Sequence, residues 1–582
     1  MLRQELDETL HRALSAFLLE QGVDPAELNG SAKLNLEIPK HRHFGDFAVN
    51  VSSLARVLKK APPQIAEAFM TSLMASPQAE GLSPSLAGGF VNFKLDEARL
   101  MSALTQTVTA ENIGANAALK DTTCLLEFVS ANPTGPLHIG HGRWVALGDS
   151  LARLMTHCGA TVTKEFYVND AGVQMNNIAM SIWYRCLEAL NVGVSFPTPV
   201  EGEKFAFYPG EYVTEIATQY LAAHKAQVEQ WWQASQNAEK PPEEVILTFK
   251  ALAKSAMLAE QMALMEKCRL TFDHVFSETS LYEANLVERA VETLGKNGQT
   301  YEKDGALWLK TTDFGDDQDR VIRKTTGEYT YLMPDIAYHD EKYSRQNPKY
   351  NRFINIWGAD HHGYIPRIKA GIAGMGHPVE QFEVILGQLV NLILDGAKTR
   401  MGKRKTMVTL GDLVDEVGVD SVRFWMNAKS ADTAVDFDVD LAVSQSNENP
   451  VFYVQYAHAR CCSILRNAMA PATQPDGPPW TPLEETDWQD FLKQLNPDDL
   501  ASLFKDLENP DAAQPLRELI LRLDSFEETI VDAAKHRRPH VVARYAQDLA
   551  ADFHHVYNVC RILSPDSPQI ARQDDPYPQF LL

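Results

Sequence analysis

The sequence lacks any apolar run long enough to cross a lipid bilayer. Its most apolar stretch, residues 384–394, is interrupted by a glycine, a glutamine and an asparagine. We also expect no secretory leader or transit peptide, because three acidic residues fall within the first eight positions. These absences predict a cytoplasmic protein with no membrane partner.

The sequence has few cysteines, and its basic residues are fewer than its acidic ones. The seven cysteines form no CxxC pair and no Cys/His metal spacing, which argues against a zinc site and favours a reducing compartment. There are 54 Lys and Arg against 77 Asp and Glu, so the formal net charge is −23. That charge excludes a simple basic coat for nucleic acid, but it leaves room for a basic groove on an acidic surface.

Composition and length predict a folded chain of several domains. Hydrophobic residues make up 45% of the 582 residues, which is ordinary globular usage. Residues 1–110 begin with leucines at helical spacing and later contain the alternating strand pattern VNFKL, so we predict a small α+β domain. The basic cluster Lys40–His43 lies within it and fits either a nucleic-acid contact or a solvated turn.

Residues 111–440 carry the pattern of a parallel sheet. The apolar run 124–130 predicts a buried strand, the segment ANPTGP a turn, and the next residues a helix ending near Gly159. A strand over 161–169 completes a βαβ unit with parallel strands. Residues 175–270 are mostly helical in pattern and predict an insertion, and further strands follow as ALWLK, NRFINIWGAD and FEVILG.

Residues 441–582 are helical in pattern. An acidic, proline-containing segment at about 471–514 interrupts the pattern and predicts a solvated insertion. The fold class predicted for the chain is therefore α/β and multidomain: a parallel central domain between an α+β N-terminal domain and an α-helical C-terminal bundle.

The sharpest chemical signal is His138-Ile139-Gly140-His141 at the start of the predicted helix. Residues three apart share a helix face, and a helix N-terminus attracts anions. Gly140 leaves the backbone bare for a flat ligand. Taken alone, two satisfied surface histidines explain the motif as well, but its strand–turn–helix context favours a phosphate site.

A second signal is the short basic loop Arg400-Met401-Gly402-Lys403-Arg404-Lys405. A loop of this kind can fold over a triphosphate, although an ordinary solvated loop has the same composition.

These motifs together resemble a known family. The HIGH turn with a later basic loop is similar to class I aminoacyl-tRNA synthetases. The strings EFVSANPTGPLHIGHGR, YVNDAG, GEYTYLMPDIAYH, WGADHHGYIPR and NPVFYVQYAHAR resemble bacterial arginyl-tRNA synthetases in particular. FGDFAVN and GGFVNF resemble the tRNA-elbow domain of that family. The resemblance implies a Rossmann-like catalytic domain at 111–440 and an anticodon-binding domain at 441–582.

The resemblance also implies a reaction. ATP would activate L-arginine to arginyl-adenylate, and the terminal ribose of tRNA(Arg) would then take the arginyl group, with activation itself requiring bound tRNA. The catalytic residues would be His138, His141 and Lys403. Mg²⁺ would accompany ATP, with no structural metal in the protein, and the enzyme would act as a monomer.

Chemistry supports an arginine pocket, since a guanidinium is best held by carboxylates in bidentate geometry. Glu127, Glu278 and Asp335 come from three separate segments, and each also fits a structural role. By resemblance, the full set of arginine-binding residues is Glu127, Ser130, Asn132, Glu278, Tyr331 and Asp335. The ATP-binding set implied in the same way is His138, Gly140, His141, Gly358, Asp360, Met401 and Lys403.

Candidate tRNA contacts lie in the C-terminal bundle. Basic residues there would bind phosphates and tyrosines would stack on unpaired bases, although helix packing also accounts for any one tyrosine. The candidates are Tyr453, Tyr456, Lys535, Arg537, Arg538, Arg544 and Tyr545.

Two departures from the family pattern motivate an alternative. The basic loop has Arg400 and Gly402 where the family has lysine and serine, and the last ten residues contain two prolines where the family has a helix. The alternative is a catalytically impaired copy that still binds tRNA. A small-molecule nucleotidyltransferase is a third hypothesis, and it would exchange pyrophosphate without tRNA.

Overall fold

The computed structural model describes residues 2–25, 34–39, 41, 44–76, 79–199, 205–235, 241–394, 396–399, 409–469 and 510–560. The chain forms two compact units. The terminal unit comprises residues 1–116, 452–532 and 544–582, and the central unit comprises residues 117–451 and 533–543.

The first part of the terminal unit is an antiparallel sheet covered by helices, as the sequence predicted. Its strands run in the order β1-β2-β4-β3. Apolar residues of α1 at helical spacing, such as Leu6, Leu10 and Phe17, are buried in its core. The elements are α1 (Leu2–Glu20), β1 (Leu36–Glu37), β2 (Phe47–Asn50), α2 (Ala55–Leu58), α3 (Pro62–Met74), β3 (Leu82–Ala87), β4 (Phe90–Leu95) and α4 (Glu97–Val108).

The central unit is built on a five-stranded parallel sheet, which confirms the predicted fold class. The strands are β5 (Thr123–Glu127), β6 (Thr161–Val168), β7 (His274–Ser277), β11 (Arg352–Gly358) and β12 (Phe382–Gly387). Their order is β12-β11-β5-β6-β7, so the chain leaves β5 toward one edge and later returns to the other side of it. Ligands bind at such a reversal, beyond the carboxyl ends of the strands.

The first strand of this sheet is shorter than predicted. β5 ends at Glu127, whereas the apolar run continues to Ser130. Val129 and Ser130 adopt positive φ values of 67° and 43°, which residues other than glycine rarely adopt. These two residues turn the chain out of the sheet and into the ANPTGP turn. Strain of this kind collects at functional sites.

Helix α5 (Ile139–His157) packs closely on the sheet. A Cβ at Gly148 would lie 2.1 Å from the ring of Phe128, and one at Gly387 would lie 1.7 Å from the ring of Trp144. The two glycines therefore set how near the helix comes to the strand ends.

Three helices follow β6 and share a core of their own: α6 (Val173–Ala189), α7 (Glu211–Ser235) and α8 (Glu243–Lys267). The strand predicted at ALWLK belongs to a separate antiparallel sheet, in the order β10-β9-β8. The elements around this sheet are α9 (Thr279–Glu283), α10 (Leu286–Lys296), β8 (Thr300–Lys303), β9 (Ala306–Leu309), β10 (Arg320–Arg323), α11 (Leu332–Ser344) and α12 (Ile365–Gly374).

The chain then forms a small three-stranded sheet and the C-terminal helices. The sheet elements and their helices are β13 (Val390–Leu394), β14 (Ala397–Thr399), α13 (Leu410–Val417), α14 (Val419–Met426), β15 (Val435–Asp438) and α15 (Val439–Val443). The helices that follow are α16 (Pro450–Met469), α17 (Ala513–Asp524), α18 (Phe526–Lys535) and α19 (His540–Val559). Of the helices described, none has the length and apolar content needed to span a membrane.

Candidate active site

The candidate site lies in the central unit at the carboxyl ends of the parallel strands. Glu127 is the last residue of β5, and Glu278 follows β7 directly. Asp335 lies in the first turn of α11. Its negative charge adds to burial in raising the pKa of Glu278, and the charge of Glu127 does the same for the pKa of Asp335. The topology therefore brings three acids from distant parts of the sequence to one place.

The two histidines of the HIGH motif stack at the start of α5. Their ring centroids are 3.7 Å apart, and the Nδ1 atom of His141 accepts a hydrogen bond from the backbone N–H of His138 at 3.1 Å. A nitrogen that accepts carries no proton, so the neutral His141 ring bears its proton on Nε2. That N–H is the group this ring offers to a ligand.

Burial keeps these rings uncharged. It lowers the pKa of His138, and it lowers the pKa of His141 to about 3, with the neighbouring His138 adding to the effect. At neutral pH the two rings can therefore act as hydrogen-bond donors and not as cations. The positive end of the helix dipole supplies the remaining attraction.

Gly140 has a different use from the predicted bare shelf. A Cβ at this position would lie 2.9 Å from Cε1 and 3.0 Å from Nδ1 of His138. The space over the glycine is taken by the His138 ring, so Gly140 allows the two histidines to stack.

The segment that begins at Thr409, downstream of the basic loop, lies beside the HIGH turn. Thr409 forms an isolated antiparallel bridge with His138, and the Leu410 N–H donates to the Leu137 carbonyl oxygen at 2.7 Å. Met401 and Lys403 lie outside the described residues. The chain immediately after the loop nevertheless lies next to the predicted phosphate site.

Three buried carboxylates around the site have a cation of their own. Glu127 pairs with Lys342 at 2.5 Å. Glu165 pairs with Arg345 at 2.6 Å and accepts from Tyr338 and His274, and these partners hold its pKa at about 2 against the effect of burial. The Asp170 carboxylate pairs with Lys254, and it also accepts hydrogen bonds from Ser277 and Thr279 on either side of Glu278.

Two carboxylates at the same place have none. Within the described part of the chain, no lysine or arginine forms an ion pair with Glu278 or Asp335. Burial, and for Glu278 the negative charge of Asp335, raises both pKa values to about 7. The cluster therefore holds two acids with which no lysine or arginine of the described chain pairs.

Comparisons with known proteins agree with this chemistry. Three protein-family models match: "Arginyl tRNA synthetase N terminal domain" over residues 2–95, "tRNA synthetases class I (R), catalytic domain" over 102–446, and "DALR anticodon binding domain" over 454–573. The arginine–tRNA ligase of Bacillus subtilis is 38% identical over 574 residues, covering 98% of this chain and 95% of the relative. The chain belongs to the class I arginyl-tRNA synthetases.

Other relatives support the same membership. Arginine–tRNA ligase 1 of Halalkalibacterium halodurans is 39% identical and covers 92% of this chain and 88% of its own. The solved Thermus thermophilus arginyl-tRNA synthetase has a TM-score of 0.64 at 23% identity, covering 99% of this chain and 95% of that one, which shows the shared fold. This synthetase is thus a ligase that joins arginine to tRNA, and ATP is its further substrate.

The other predicted substrate residues differ in their exposure. Tyr331 is 70% exposed. Asn132 is half-buried and donates to Gln174 Oε1 at 2.8 Å. Asp360 is exposed, and it lies in a 3-10 turn that follows Gly358 at the end of β11. Ser130 lies within the cluster and donates to Glu127 Oε1 at 3.1 Å.

The predicted tRNA contacts divide by exposure. Tyr545 is buried, packs against Phe526 and donates to the Arg522 carbonyl oxygen, so it is a core residue and not a stacking surface. Tyr456 is 38% exposed, whereas Tyr453 is half-buried against His554. Lys535, Arg538 and Arg544 are exposed, and Arg537 is half-buried beside Glu383. Of the cluster Lys40–His43, only His41 lies within the described residues.

Sequence reasoning missed the residues that organise the site. Tyr167 hydrogen-bonds Glu278, and Tyr364 donates to Asp335 at 2.5 Å. Lys342, Asn355 and Gln261 are buried polar residues at the same strand ends. A weak signal existed, because Tyr167 and Asn355 both occur in apolar runs that predict strands of the central sheet.

Proposed function

We propose that the side chain of arginine binds between Glu278 and Asp335. The observation that carries this proposal is that neither the buried Glu278 nor the half-buried Asp335 pairs with a lysine or arginine of the described chain, while three neighbouring acids do. A guanidinium would supply the missing charge and can hydrogen-bond two carboxylates at once. Glu127, Ser130 and Asn132 would line the remainder of the pocket, and Tyr331 remains a prediction from resemblance.

ATP would bind with its phosphates at the start of α5. The Nε2–H group of His141 would donate a hydrogen bond to an oxygen of the α-phosphate. His138 and Gly140 would form the rest of this side of the ATP site. Lys403 and Met401 would also bind the phosphates, because they precede Thr409, which forms a bridge with His138. Gly358 and Asp360 would border the adenosine.

The reaction would then proceed in two steps. The arginine carboxylate attacks the α-phosphorus of ATP, forming arginyl-adenylate and releasing pyrophosphate. A terminal ribose hydroxyl of tRNA next attacks the activated carbonyl carbon and releases AMP. The protein supplies position and charge stabilisation, and the chemistry needs no protein nucleophile.

Mg²⁺ would arrive with ATP, held by phosphate oxygens and water. The described residues contain no group of three or more His, Cys, Asp or Glu side chains that could hold a metal ion. The metal would neutralise charge on the leaving pyrophosphate.

The remaining assignments follow the domain pattern. We propose an elbow-binding domain at 1–110, a catalytic domain at 111–440 with a helical insertion at about 175–270, and an anticodon-binding domain at 441–582. The acidic insertion at about 471–514 lies outside the described residues up to position 509. Tyr453, Tyr456, Lys535, Arg537, Arg538 and Arg544 would contact tRNA, and a monomeric, cytoplasmic enzyme is expected.

Asp335→Asn tests the pocket. The asparagine keeps the shape of the side chain but removes one of the two charges that await a cation. In ATP–pyrophosphate exchange with tRNA present, we expect the KM for arginine to rise at least tenfold while the KM for ATP changes less than threefold. Equal changes in the two constants would contradict the assignment.

The alternative of an impaired copy rests on residues 400–405 and on the last ten residues, which the structure does not describe. Binding of tRNA without measurable charging would support it. Pyrophosphate exchange that proceeds without tRNA would instead favour the small-molecule nucleotidyltransferase.

A further inference from the structure

Lys342 is a lysine held almost completely out of water. It lies on α11 two turns after Asp335, and its side chain is 1% exposed. Nζ donates to Glu127 Oε2 at 2.5 Å and to Asn355 Oδ1 at 3.1 Å, and it lies 4.2 Å from the centre of the Tyr338 ring. Lysines are almost never fully buried unless they are paired, so the partner explains the position.

The partner carboxylate accepts three hydrogen bonds from the chain itself. Glu127 Oε2 accepts from Lys342 and from Asn355 Nδ2 at 2.9 Å, and Oε1 accepts from Ser130 at 3.1 Å. These bonds fix both oxygens of Glu127. Its negative charge is therefore balanced before any substrate arrives.

We propose that Lys342 is the internal counter-ion of the arginine pocket and a positioning residue for Glu127. This inference rests on the pocket proposed above. Lys342 holds the Glu127 carboxylate in place and balances its negative charge. The negative charges that remain for the substrate are those of Glu278 and Asp335. Those two carboxylates are the ones proposed above to hold the guanidinium of arginine.

Apart from Glu278 and Asp335, the charged groups near Lys342 and Glu127 are paired with an opposite charge or are neutral. Glu165 is balanced by Arg345. Burial lowers the pKa of His339 to about 3, and Lys342 contributes to that shift, so the ring is neutral. The groups that face the pair from β6, α9, α11 and β11 are Glu165, Tyr167, Glu278, Asp335, Tyr338, His339, Arg345 and Asn355.

The test is a charge cycle on the holoenzyme with tRNA. The variants are Glu127→Gln, Lys342→Met and the double variant, and the readout is ATP–pyrophosphate exchange with arginine, inhibited by citrulline. Citrulline has the shape of arginine without its side-chain charge. The ratio of citrulline Ki to arginine KM therefore reports the charge of the pocket, which a purely structural defect would not change.

We expect Glu127→Gln to lower this ratio at least tenfold, because it leaves an unbalanced lysine beneath the pocket. Lys342→Met is expected to raise the arginine KM at least tenfold, because an unpaired Glu127 loses its fixed position. The double variant removes both charges and should return the ratio and the KM to within about fivefold of the parent. A double variant no better than Glu127→Gln would show that the Glu127 carboxylate itself binds arginine, and would overturn the proposal.

Two controls separate the possible failures. Asp340→Asn alters an acid on the same helix that pairs with His377 at 2.7 Å, and it should leave both constants within twofold. Asp335→Asn tests the pocket independently: if it leaves the citrulline ratio unchanged, the pocket assignment fails whatever the charge cycle shows. Circular dichroism at the assay temperature verifies that each variant is folded.

Discussion

At the scale of single residues, the site is defined by which acidic side chains pair with a lysine or arginine of the chain and which do not. Glu278 and Asp335 could be proposed from sequence, since both lie in motifs shared with the family and guanidinium recognition requires carboxylates. Lys342, Arg345 and Lys254 could not, because a lysine or arginine in a helical pattern ordinarily reads as a solvated charge. Only the fold shows which acids these cations reach.

Arginine binding should be pH-dependent. Both pocket acids have pKa values raised to about 7, whereas an ordinary carboxyl group has a pKa of about 4. A raised pKa favours the protonated form in the folded state, so these two groups make the ligand-free enzyme less stable as pH rises from about 4 to 7. Arginine needs both acids ionised and should bind with release of protons.

The measurement is the rise in melting temperature caused by saturating arginine. We expect a larger rise at pH 8 than at pH 6, and a smaller pH difference in Asp335→Asn. An equal rise at both pH values in the parent enzyme would contradict the account.

His141→Asn should separate the two tasks of that ring. Asparagine Oδ1 can still accept the backbone hydrogen bond from His138, but the Nε2 donor is lost. Losing one donor to a transition-state oxygen typically costs about 10²–10³ in rate, so adenylate formation in single turnover should fall by that factor. A variant that melts normally and reacts normally would remove His141 from the mechanism.

At the scale of elements, the helix and strands around the HIGH motif were predictable and the end of β5 was not. The apolar run and the helical spacing each specify an element, and α5, β5 and β6 are found where they were predicted. The chain leaves the sheet early because Val129 and Ser130 adopt left-handed conformations, which neither residue type signals in sequence.

Gly148→Ala should destabilise the contact between α5 and the sheet. The new Cβ would lie 2.1 Å from a buried ring, and overpacking of this kind costs about 1–3 kcal/mol. Urea denaturation followed by tryptophan fluorescence measures the change.

The matched control for this variant is Gly295→Ala in α10, where the new Cβ would lie 3.7 Å from Thr300 Oγ1, an ordinary van der Waals contact. It should be neutral or stabilising, because alanine favours helix by about 1 kcal/mol over glycine. A Gly148→Ala variant as stable as this control would show that the packing can relax.

At the scale of the whole molecule, the composition of the terminal unit was the hardest feature to predict from the order of the sequence. The described residues of 1–116 share a core with α17, which begins about 400 positions after α4 ends and contributes Leu516 and Ile520. Arg517 is buried there and makes a bidentate pair with Asp46 at 2.7 and 2.8 Å. No local pattern reveals such a pairing, because it depends on how two distant segments fold together.

Arg517→Met should strongly destabilise the terminal unit. It removes the Arg517 guanidinium from a buried ion pair, and breaking such a pair costs about 3–5 kcal/mol. Arg544→Met is the control, because its pair with Asp548 is largely exposed and contributes about 1 kcal/mol at most. Calorimetric melting would compare the two, and equal small shifts would show that the Asp46 pair contributes little.

The most direct test of the whole account is aminoacylation of purified tRNA by the 582-residue chain with ATP and Mg²⁺. Labelled arginine, labelled lysine and a reaction without tRNA would run in parallel for the parent and for Glu278→Gln/Asp335→Asn. We predict that the parent charges tRNA with arginine and not with lysine, and that the double variant loses at least 10²-fold in kcat/KM for arginine while still binding tRNA. Undiminished charging by the double variant would contradict the account.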